Sequence, residues 1–363
     1  MLMASTSANA TILAETCAAA QDIVTPGLVI IMIAVALLDG TSLILFYFYG
    51  RCYITNKSLQ PNFKILITAL TVALALRNFL TMIRAFRMLL MMIVSIWHPC
   101  ALLTIYAICG FESTINIIPI EVATHTFALV AIERVIATVF YKKYENIVFV
   151  KTCIFVTVLM WIIQLSISFP TFAQILQRPP TLMSYCSSMS TQTVNLGQLV
   201  GYRIPIDIVI VIIAAVTYYI NKRADPFGDA VNGSSHLTSR YQRSENIEAT
   251  KNVTLHIILY LLVQILNLYS SYWLGNLKLD TVAEFAVLKE TTSLCYPIHG
   301  NVHVILILIT SKRMRYKFFT QPWLCRISPR FCKGPSSPQF KPSQNTDANY
   351  FEQYKRQWGS VAK

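Results

Sequence analysis

The chain has 363 residues, of which 55% are hydrophobic and only 13% are charged. Soluble domains carry about 25% charged residues, so this composition excludes an ordinary soluble protein and indicates a lipid environment. The net charge of +13 is no argument for nucleic-acid binding, because membrane proteins concentrate lysine and arginine in the loops on one side.

Seven apolar stretches stand out along the chain, each close to the roughly 20 residues that a helix needs to cross a bilayer. They leave little room for a separate soluble domain, so the sequence predicts an all-α membrane protein, a seven-transmembrane helix bundle. We number these predicted spans 1 to 7 in chain order. They cover Val24–Tyr49, Phe63–Ile83, Phe111–Phe140, Val150–Ala173, Leu199–Ile220, Val253–Leu274 and Val287–Thr310.

Two connections are harder to place than the spans. Span 2 has no clear stop at Ile83 and can continue through Arg84 and Arg87, so its boundary with span 3 falls somewhere before Phe111. The connection of spans 5 and 6, about residues 221–252, is polar and too short for a folded domain, and we expect a loop there. The expected organisation is an N-terminal segment (1–23), a membrane domain (24–311), a juxtamembrane amphipathic segment (312–332) and a disordered tail (333–363).

Lysine and arginine are concentrated on alternate connections. The connections after spans 1, 3 and 5 and the C-terminal tail are basic, whereas residues 1–23 contain no Lys or Arg and the connection of spans 4 and 5 contains only Arg178. By the positive-inside rule, the N-terminus is outside and the C-terminus is cytosolic. Two ends on opposite sides require an odd number of spans, as seven gives.

Several modification sites follow from this orientation. Four cysteines fall on the outer side, an even number in an oxidising compartment, which favours two disulfides. Asn9, in the sequence Asn-Ala-Thr, is a candidate glycosylation site on the same side. Cys325 and Cys332 lie beyond span 7 among basic residues, where palmitoylation would attach the tail to membrane lipid. The outer cysteines are Cys17, Cys100, Cys109 and Cys186.

Glu133-Arg134 at the cytosolic end of span 3 is the sharpest local signal. An arginine at this depth is costly unless it is paired. Glu133 is its neighbour, and a second acid at the start of span 6 could also reach it. Such a pair can hold spans 3 and 6 together at rest, and breaking it would free Arg134 and open a cytosolic cleft. The alternative interpretation is a pair of interfacial charges that extend to water.

Seven spans, an outer N-terminus and Glu-Arg at the end of span 3 resemble G-protein-coupled receptors. Within these, the chain resembles the nematode serpentine chemoreceptors of the Sra-like group, which comprises the Sra, Srab and Srb classes. The similarity covers about residues 15 to 325. The segments that carry it are residues 132–138 (IERVIAT), Tyr144-Glu145 and residues 237–247 (LTSRYQRSENI).

The resemblance implies a chemosensory receptor that binds an external small molecule and activates a heterotrimeric G protein. It implies a multi-pass protein of the plasma membrane, in the ciliary membrane of sensory neurons, and a dimer is compatible with it. The residues expected at the switch and G-protein contact are Glu133, Arg134, Tyr144, Arg240, Tyr241, Glu245, Asn246, Glu248 and Pro297.

The chain departs from the common receptor pattern at four places. Glu133 replaces the usual Asp, and Val135 replaces the usual Tyr. In span 7, Tyr296 stands before Pro297 in place of Asn, and Asn301 follows in place of a Tyr. Switch residues therefore carry over best at Arg134 and Pro297.

Helix geometry gives a preference among the disulfide pairings. Cys109 lies about 38 Å along a helix from Arg134, and Cys100 about 51 Å. Only the first distance fits one membrane crossing, so we pair Cys109 with Cys186, which leaves Cys17 with Cys100. The pairing of Cys100 with Cys186 stays open, because four cysteines allow three pairings.

Ionisable residues in the outer halves of the spans form the candidate ligand site, because such residues usually face the interior of a bundle. Glu112 and Asn116 are one turn apart, and Asn116 lies five turns from Arg134 on the same face. In the alternative, the charges pair with one another, such as Arg77 with Glu121, and touch no ligand. The candidate ligand residues are Arg77, Glu112, Asn116, Glu121, Arg203, Asp207, Glu290 and an aromatic wall of Tyr269, Tyr272 and Trp273.

Three other classes of protein fit less well. A ligand-gated channel or transporter would use the buried charges as a path, but it more often shows an internal repeat or Gly-rich broken helices. A retinal photoreceptor needs a buried lysine in span 7, for which Lys289 is the only candidate. An intramembrane metalloenzyme needs more than His299 and His303, which have a metal-binding spacing but no evident third ligand. We therefore expect no catalytic site, no cofactor and no metal.

Overall fold

The computed structural model describes residues 14–54, 60–140, 144, 149–187, 204–223 and 236–319, with the backbone alone at 236–245, 312, 313, 316 and 317. Within these residues, seven helical segments are long and apolar enough to cross a membrane, as the sequence predicts. The chain is therefore a multi-pass, mostly helical membrane protein. Spans 1 to 7 cover Pro26–Ile54, Pro61–Ser95, Tyr106–Val139, Val150–Gln177, Ile204–Arg223, Asn246–Asn276 and Val282–Thr310.

The boundary between spans 2 and 3 lies between Ser95 and Tyr106. Span 2 continues well past Ile83, since no proline or glycine interrupts it there. A short 3-10 turn, Pro99–Leu102, then ends the helical path, and His98 before it is extended (φ −130°, ψ 90°). A residue that precedes proline disfavours the α conformation, so Pro99 is the physical stop.

Span 6 is part of a longer helix, His236–Asn276. The prediction of a loop over 221–252 is therefore wrong from His236 onward, and span 5 also stays helical to Arg223. Residues 236–252 contain neither proline nor glycine. An existing helix extends without the cost of a new nucleus, so these polar residues continue it beyond the apolar part.

Span 7 consists of two helices, Val282–Ser293 and Cys295–Thr310, with Leu294 between them. Pro297 causes the break, since its ring clashes with the carbonyl four residues earlier, that of Ser293, and it has no N–H to donate. The amide of Leu294 instead bonds to the carbonyl of Thr291 at 3.2 Å.

The bundle exposes apolar side chains and buries polar ones. Large apolar residues such as Ile30 and Phe169 are about two-thirds exposed, whereas Asp39, Arg134 and Glu290 are buried. This inverts the soluble pattern, as expected when the surrounding solvent is lipid. Span 4 is the most peripheral, with only 11% of its apolar window buried.

Two disulfides and a small sheet lie at one end of the bundle, which we call the disulfide end. Cys17 is bonded to Cys100, and Cys109 to Cys186, the pairing that helix geometry favours. Strand Leu182–Met183 pairs antiparallel with Thr104–Ile105. We call the opposite end the Arg134 end. The described residues up to Ser311 form one compact unit, and the chain continues with a short helix, Lys312–Phe319.

Candidate functional site

A buried ion pair joins spans 2 and 7 at the disulfide end. The guanidinium of Arg84 (span 2) bonds to the carboxylate of Glu290 (span 7), which is 1% exposed. Arg84 also donates to the carbonyl of Cys186 at 3.1 Å, and Tyr185 donates to Glu290 at 2.5 Å. Burial and the negative charge of Glu290 raise the pKa of Tyr185 well above its ordinary value, so its phenol stays a donor.

Two more arginines of span 2 contact span 3. Arg87 pairs with Glu112 at 2.5 Å. Ten residues, or about 15 Å, from Arg87 along the helix, Arg77 donates to Asn116 at 2.7 Å and to Thr81 at 2.6 Å. Of the predicted ligand residues, Arg77 and Asn116 are therefore in contact, whereas Glu112 pairs with Arg87, as the alternative of mutually paired charges expects. Among the described residues, Arg77 forms no salt bridge with Glu121, and its hydrogen bonds go to neutral side chains.

Lys289 precedes Glu290 and is itself buried, with 8% exposed. Within the described residues, its ammonium group has neither a hydrogen bond nor a salt bridge. Glu290 attracts it, while Arg84 and Arg77 repel it. A buried lysine whose ammonium group has no partner is costly. The sequence already places Lys289 among the ionisable residues in the outer half of span 7.

A polar layer lies below Arg77, where spans 1, 2 and 7 meet. Asn78 donates to Ser42 at 2.6 Å, and Asn301 donates to the carbonyl of Leu38 at 2.8 Å. Asp39 is fully buried there, and neither of its carboxylate oxygens has a hydrogen bond within the described residues. The sequence interpretation missed Asp39, although a single carboxylate in the apolar span 1 is itself a signal.

Gly300 allows the close contact of these three spans. A Cβ at this position would lie 2.5 Å from Nδ2 of Asn78 and even closer to Oγ of Ser42. Both atoms belong to a buried hydrogen bond, so neither can move away cheaply. Only glycine therefore fits where span 7 crosses spans 1 and 2.

Tyrosines connect spans 3, 6 and 7 in the core. Tyr296 donates to Gln264 at 2.9 Å, and the guanidinium of Arg77 lies 5.2 Å from the centre of its ring. Tyr260 is hydrogen-bonded to Thr124 at 3.0 Å. Polar contacts therefore continue from the level of Arg77 into the middle of the bundle.

Three histidines meet in this core. The ring of His256 (span 6) lies 4.2 Å from that of His303, and His299 lies 5.7 Å from His303. The sequence interpretation recognised only the two histidines of span 7. In the part of the chain that the structure describes, no group of three His, Cys, Asp or Glu is arranged to hold a metal.

At the Arg134 end, Glu133 and Arg134 form a closed cluster with Tyr144. Arg134 donates twice to Glu133, at 2.5 Å each, and Tyr144 donates to the same carboxylate. The guanidinium also lies 4.1 Å from the ring centre of Phe63 in span 2. Arg134 is 3% exposed, so these charges do not extend to water, and the alternative of interfacial charges is not supported.

Span 6 contacts its neighbours close to this cluster. Asn246 donates to the carbonyl of Ala137 in span 3 at 3.2 Å. Glu248 accepts from Ser311 at 2.9 Å, which joins spans 6 and 7. Asn246 therefore provides the described hydrogen bond between spans 3 and 6 at this end. An ion pair between Arg134 and an acidic residue of span 6 stays a prediction.

The expected aromatic wall is not supported. Tyr269, Tyr272 and Trp273 are 66%, 60% and 48% exposed. Their spacing places them on one helical face, and the opposite face, with Gln264 and Ser271, is the one that packs inward. Aromatic residues at this position suit a membrane interface instead.

The remaining predicted site residues divide into two groups. Glu121 and Asp207 are buried in spans 3 and 5, and each has an interaction partner. The others fall outside the described residues or side chains. These are Asn9, Arg203, Arg240, Tyr241, Glu245, Cys325 and Cys332.

Comparison with known proteins assigns the chain to a family. A search of curated proteins gives no match. A family model, described as the serpentine type 7TM GPCR receptor class ab chemoreceptor, matches residues 15–321. This range includes all seven spans, the Arg84–Glu290 ion pair and the Glu133–Arg134–Tyr144 cluster. The resemblance to the nematode Sra-like group is thereby confirmed, and the chain belongs to the class ab family of serpentine seven-transmembrane chemoreceptors.

Proposed function

We propose that the chain is a chemosensory receptor that binds an external small molecule and activates a heterotrimeric G protein. Membership of a receptor family supports the general role. The observation that carries the mechanism is the closed Glu133–Arg134–Tyr144 cluster, a set of buried charges that a conformational change can release.

The two ends of the bundle have different roles in this proposal. The disulfide end faces outward, because disulfides form in oxidising compartments and the basic connections belong to the other side. The ligand binds there between spans 2, 3 and 7, near Arg77, Asn116 and Glu290. The Arg134 end faces the cytosol, and Asn246 and Glu248 lie beside the G-protein contact.

Ligand binding would shift an equilibrium between two states. In the resting state Arg134 stays with Glu133 and Phe63, as described above. In the active state span 6 gives up its bond to Ala137, and Arg134 becomes available to the G protein. The receptor would act in the ciliary membrane of nematode sensory neurons.

The test is a screen of odorants, peptides and small metabolites on cells that express the chain with a promiscuous G protein. We expect at least one compound to evoke signalling, and Arg134→Ala to abolish it at an unchanged surface level. Arg178→Ala, at the opposite end of the bundle, is the matched control and should respond normally. Ligand-evoked signalling by Arg134→Ala equal to wild type would refute the mechanism.

A further inference from the structure

We infer that the ligand is an anion, a carboxylate or a similar small acid, and that Lys289 binds its charged group. This inference rests on the proposed ligand site at the disulfide end and specifies its chemistry. It starts from two cations, the buried Lys289 of span 7 and the half-buried Arg77 of span 2, that form no salt bridge within the described residues.

Lys289 is the first of these two cations. Its side chain is buried, and within the described residues no carboxylate lies within 4 Å of its ammonium group. The adjacent carboxylate of Glu290 is already bonded to Arg84 and to Tyr185. Arg84 and Arg77 both repel Lys289. A ligand with a negative charge near the ammonium group of Lys289 would therefore be attracted to it.

Arg77 is the second of these two cations. Its hydrogen bonds go to the neutral side chains of Asn116 and Thr81, and its guanidinium lies over the ring of Tyr296. Its Nε has no hydrogen-bond partner in the described part of the chain. Asp39 attracts it from span 1 but forms no salt bridge with it.

None of the other carboxylates forms a salt bridge with Lys289 in the described part of the chain. Glu112 is paired with Arg87, and Glu290 with Arg84. Even if Asp39 fully balances Arg77, Lys289 still has no carboxylate within 4 Å of its ammonium group among the described residues. Glu121 and Asp207 have partners of their own, and neither forms a salt bridge with Arg77 or Lys289.

The positions of the two cations define what can bind. Arg77 lies seven residues, or about 10 Å, along span 2 from Arg84, which marks the level of Lys289. An acid whose charged group meets Lys289 could therefore extend towards Arg77 and Tyr296. A charged hydrogen bond in a site that excludes water is strong, so it would supply much of the affinity.

The first experiment measures binding to the purified full chain in lipid nanodiscs, by the shift of its thermal unfolding temperature. The probes are acetate, hexanoate and decanoate, each with its methyl ester and its matching alkylamine. We expect at least one acid to stabilise the chain, and its ester and amine to fail. Lys289→Met should weaken the affinity for that acid by about tenfold or more, while Lys278→Met, at an exposed lysine, should leave it unchanged.

Three results would overturn the inference. They are stabilisation by esters or amines but by none of the acids, a series in which no acid stabilises the chain, and equal affinity of Lys289→Met and wild type for the acid. This assay measures binding alone and requires neither a G protein nor signalling. A chain that binds the acid but never signals would therefore refute the proposed function and leave the binding site standing.

A second measurement needs no probe. Replacing an uncompensated buried cation by a neutral side chain of similar size removes its desolvation cost. Ligand-free Lys289→Met should therefore unfold at a higher temperature than ligand-free wild type, and Lys278→Met at the same temperature. A lower unfolding temperature for Lys289→Met would show that the lysine is already satisfied without a ligand, and the inference would be wrong.

Discussion

The hydroxyl of Tyr185 lies 2.5 Å from Oε1 of Glu290 and donates to it, although 105 residues separate the two along the chain. Tyr185 belongs to the connection after span 4, and Glu290 to span 7. Because Arg84 of span 2 bonds to the same carboxylate, one acid holds two spans and a connection together. Stability at the disulfide end should depend on this carboxylate.

Tyr185→Phe should destabilise the chain by about 1.5–3 kcal/mol, because it removes a buried hydrogen bond to a charged group. The measurement is the denaturant midpoint of the purified chain in detergent. Tyr272→Phe, at a tyrosine that is 60% exposed, is the matched control and should have no effect. Equal midpoints for Tyr185→Phe and wild type would contradict the role of this bond.

The same residue predicts an alkaline loss of stability. Burial raises the pKa of Tyr185 in the folded chain, whereas an unfolded tyrosine titrates near pH 10. The folded chain therefore retains the proton longer, so stability is complete below about pH 10 and falls as the pH rises above it. The fall should be smaller in Tyr185→Phe than in wild type, by unfolding measurements across this range.

Glu290→Gln should cost more stability than Glu112→Gln. The first leaves Arg84 without its carboxylate in a site where the glutamate side chain is 2% exposed, and breaking a buried pair costs about 3–5 kcal/mol. Both partners of the Arg87–Glu112 pair are more exposed, at 26% and 19%, so solvent replaces part of that interaction. Equal losses in the two variants would show that burial does not decide the strength of these pairs.

Glu133→Gln and Tyr144→Phe should each raise ligand-independent signalling, since each weakens the contacts that retain Arg134. The removal of the carboxylate charge should have the larger effect, because it removes the ion pair and one of the two hydrogen bonds from Arg134 and leaves the other without its charged acceptor. Basal G-protein activation per receptor at the cell surface is the measurement. Basal signalling at or below the wild-type level in both variants would argue against a resting cluster.

Gly300→Ala should lower stability by about 1–3 kcal/mol, since the new methyl group meets the Asn78–Ser42 hydrogen bond. Gly40→Ala is the control on span 1, because a Cβ there would meet only Sδ of Met82, at 3.9 Å. The control should be neutral or slightly stabilising, as alanine favours a helix. Thermal unfolding of both variants compares them directly.

Hydropathy and charge predicted the number of spans, because the requirement for about 20 apolar residues acts on each segment separately. Their ends were predicted less well. Ser95 and His236 lie in polar or mixed stretches, where the end of a helix depends on a local stop such as Pro99 and not on apolarity. Helix rise gave a preference for the observed disulfide pairing but did not exclude the pairing of Cys100 with Cys186.

The site was predicted in part, for a different reason. Asn116 and Arg134 lie five turns apart on one face of span 3, so their common inward direction followed from periodicity. The partner of Arg77, which lies on another span, did not follow from it: Glu121 was suggested, and the structure has Asn116. Tyr185 contributes through a connection, and periodicity gives no information about where a connection folds back. Tyr269 was misplaced because an aromatic residue suits both a pocket and a membrane interface, and only tertiary packing decides between them.

The connection after span 4 has a mechanical consequence. Two adjacent residues of this connection make three bonds: Cys186 forms a disulfide with span 3 and accepts a hydrogen bond from Arg84 of span 2 at its carbonyl, and Tyr185 donates to span 7. Spans 2, 3 and 7 are thus all bonded to the same connection, so their disulfide ends cannot separate without breaking one of these bonds. In the proposed activation, the displacement of these spans should therefore be greatest at the Arg134 end, which this connection does not hold.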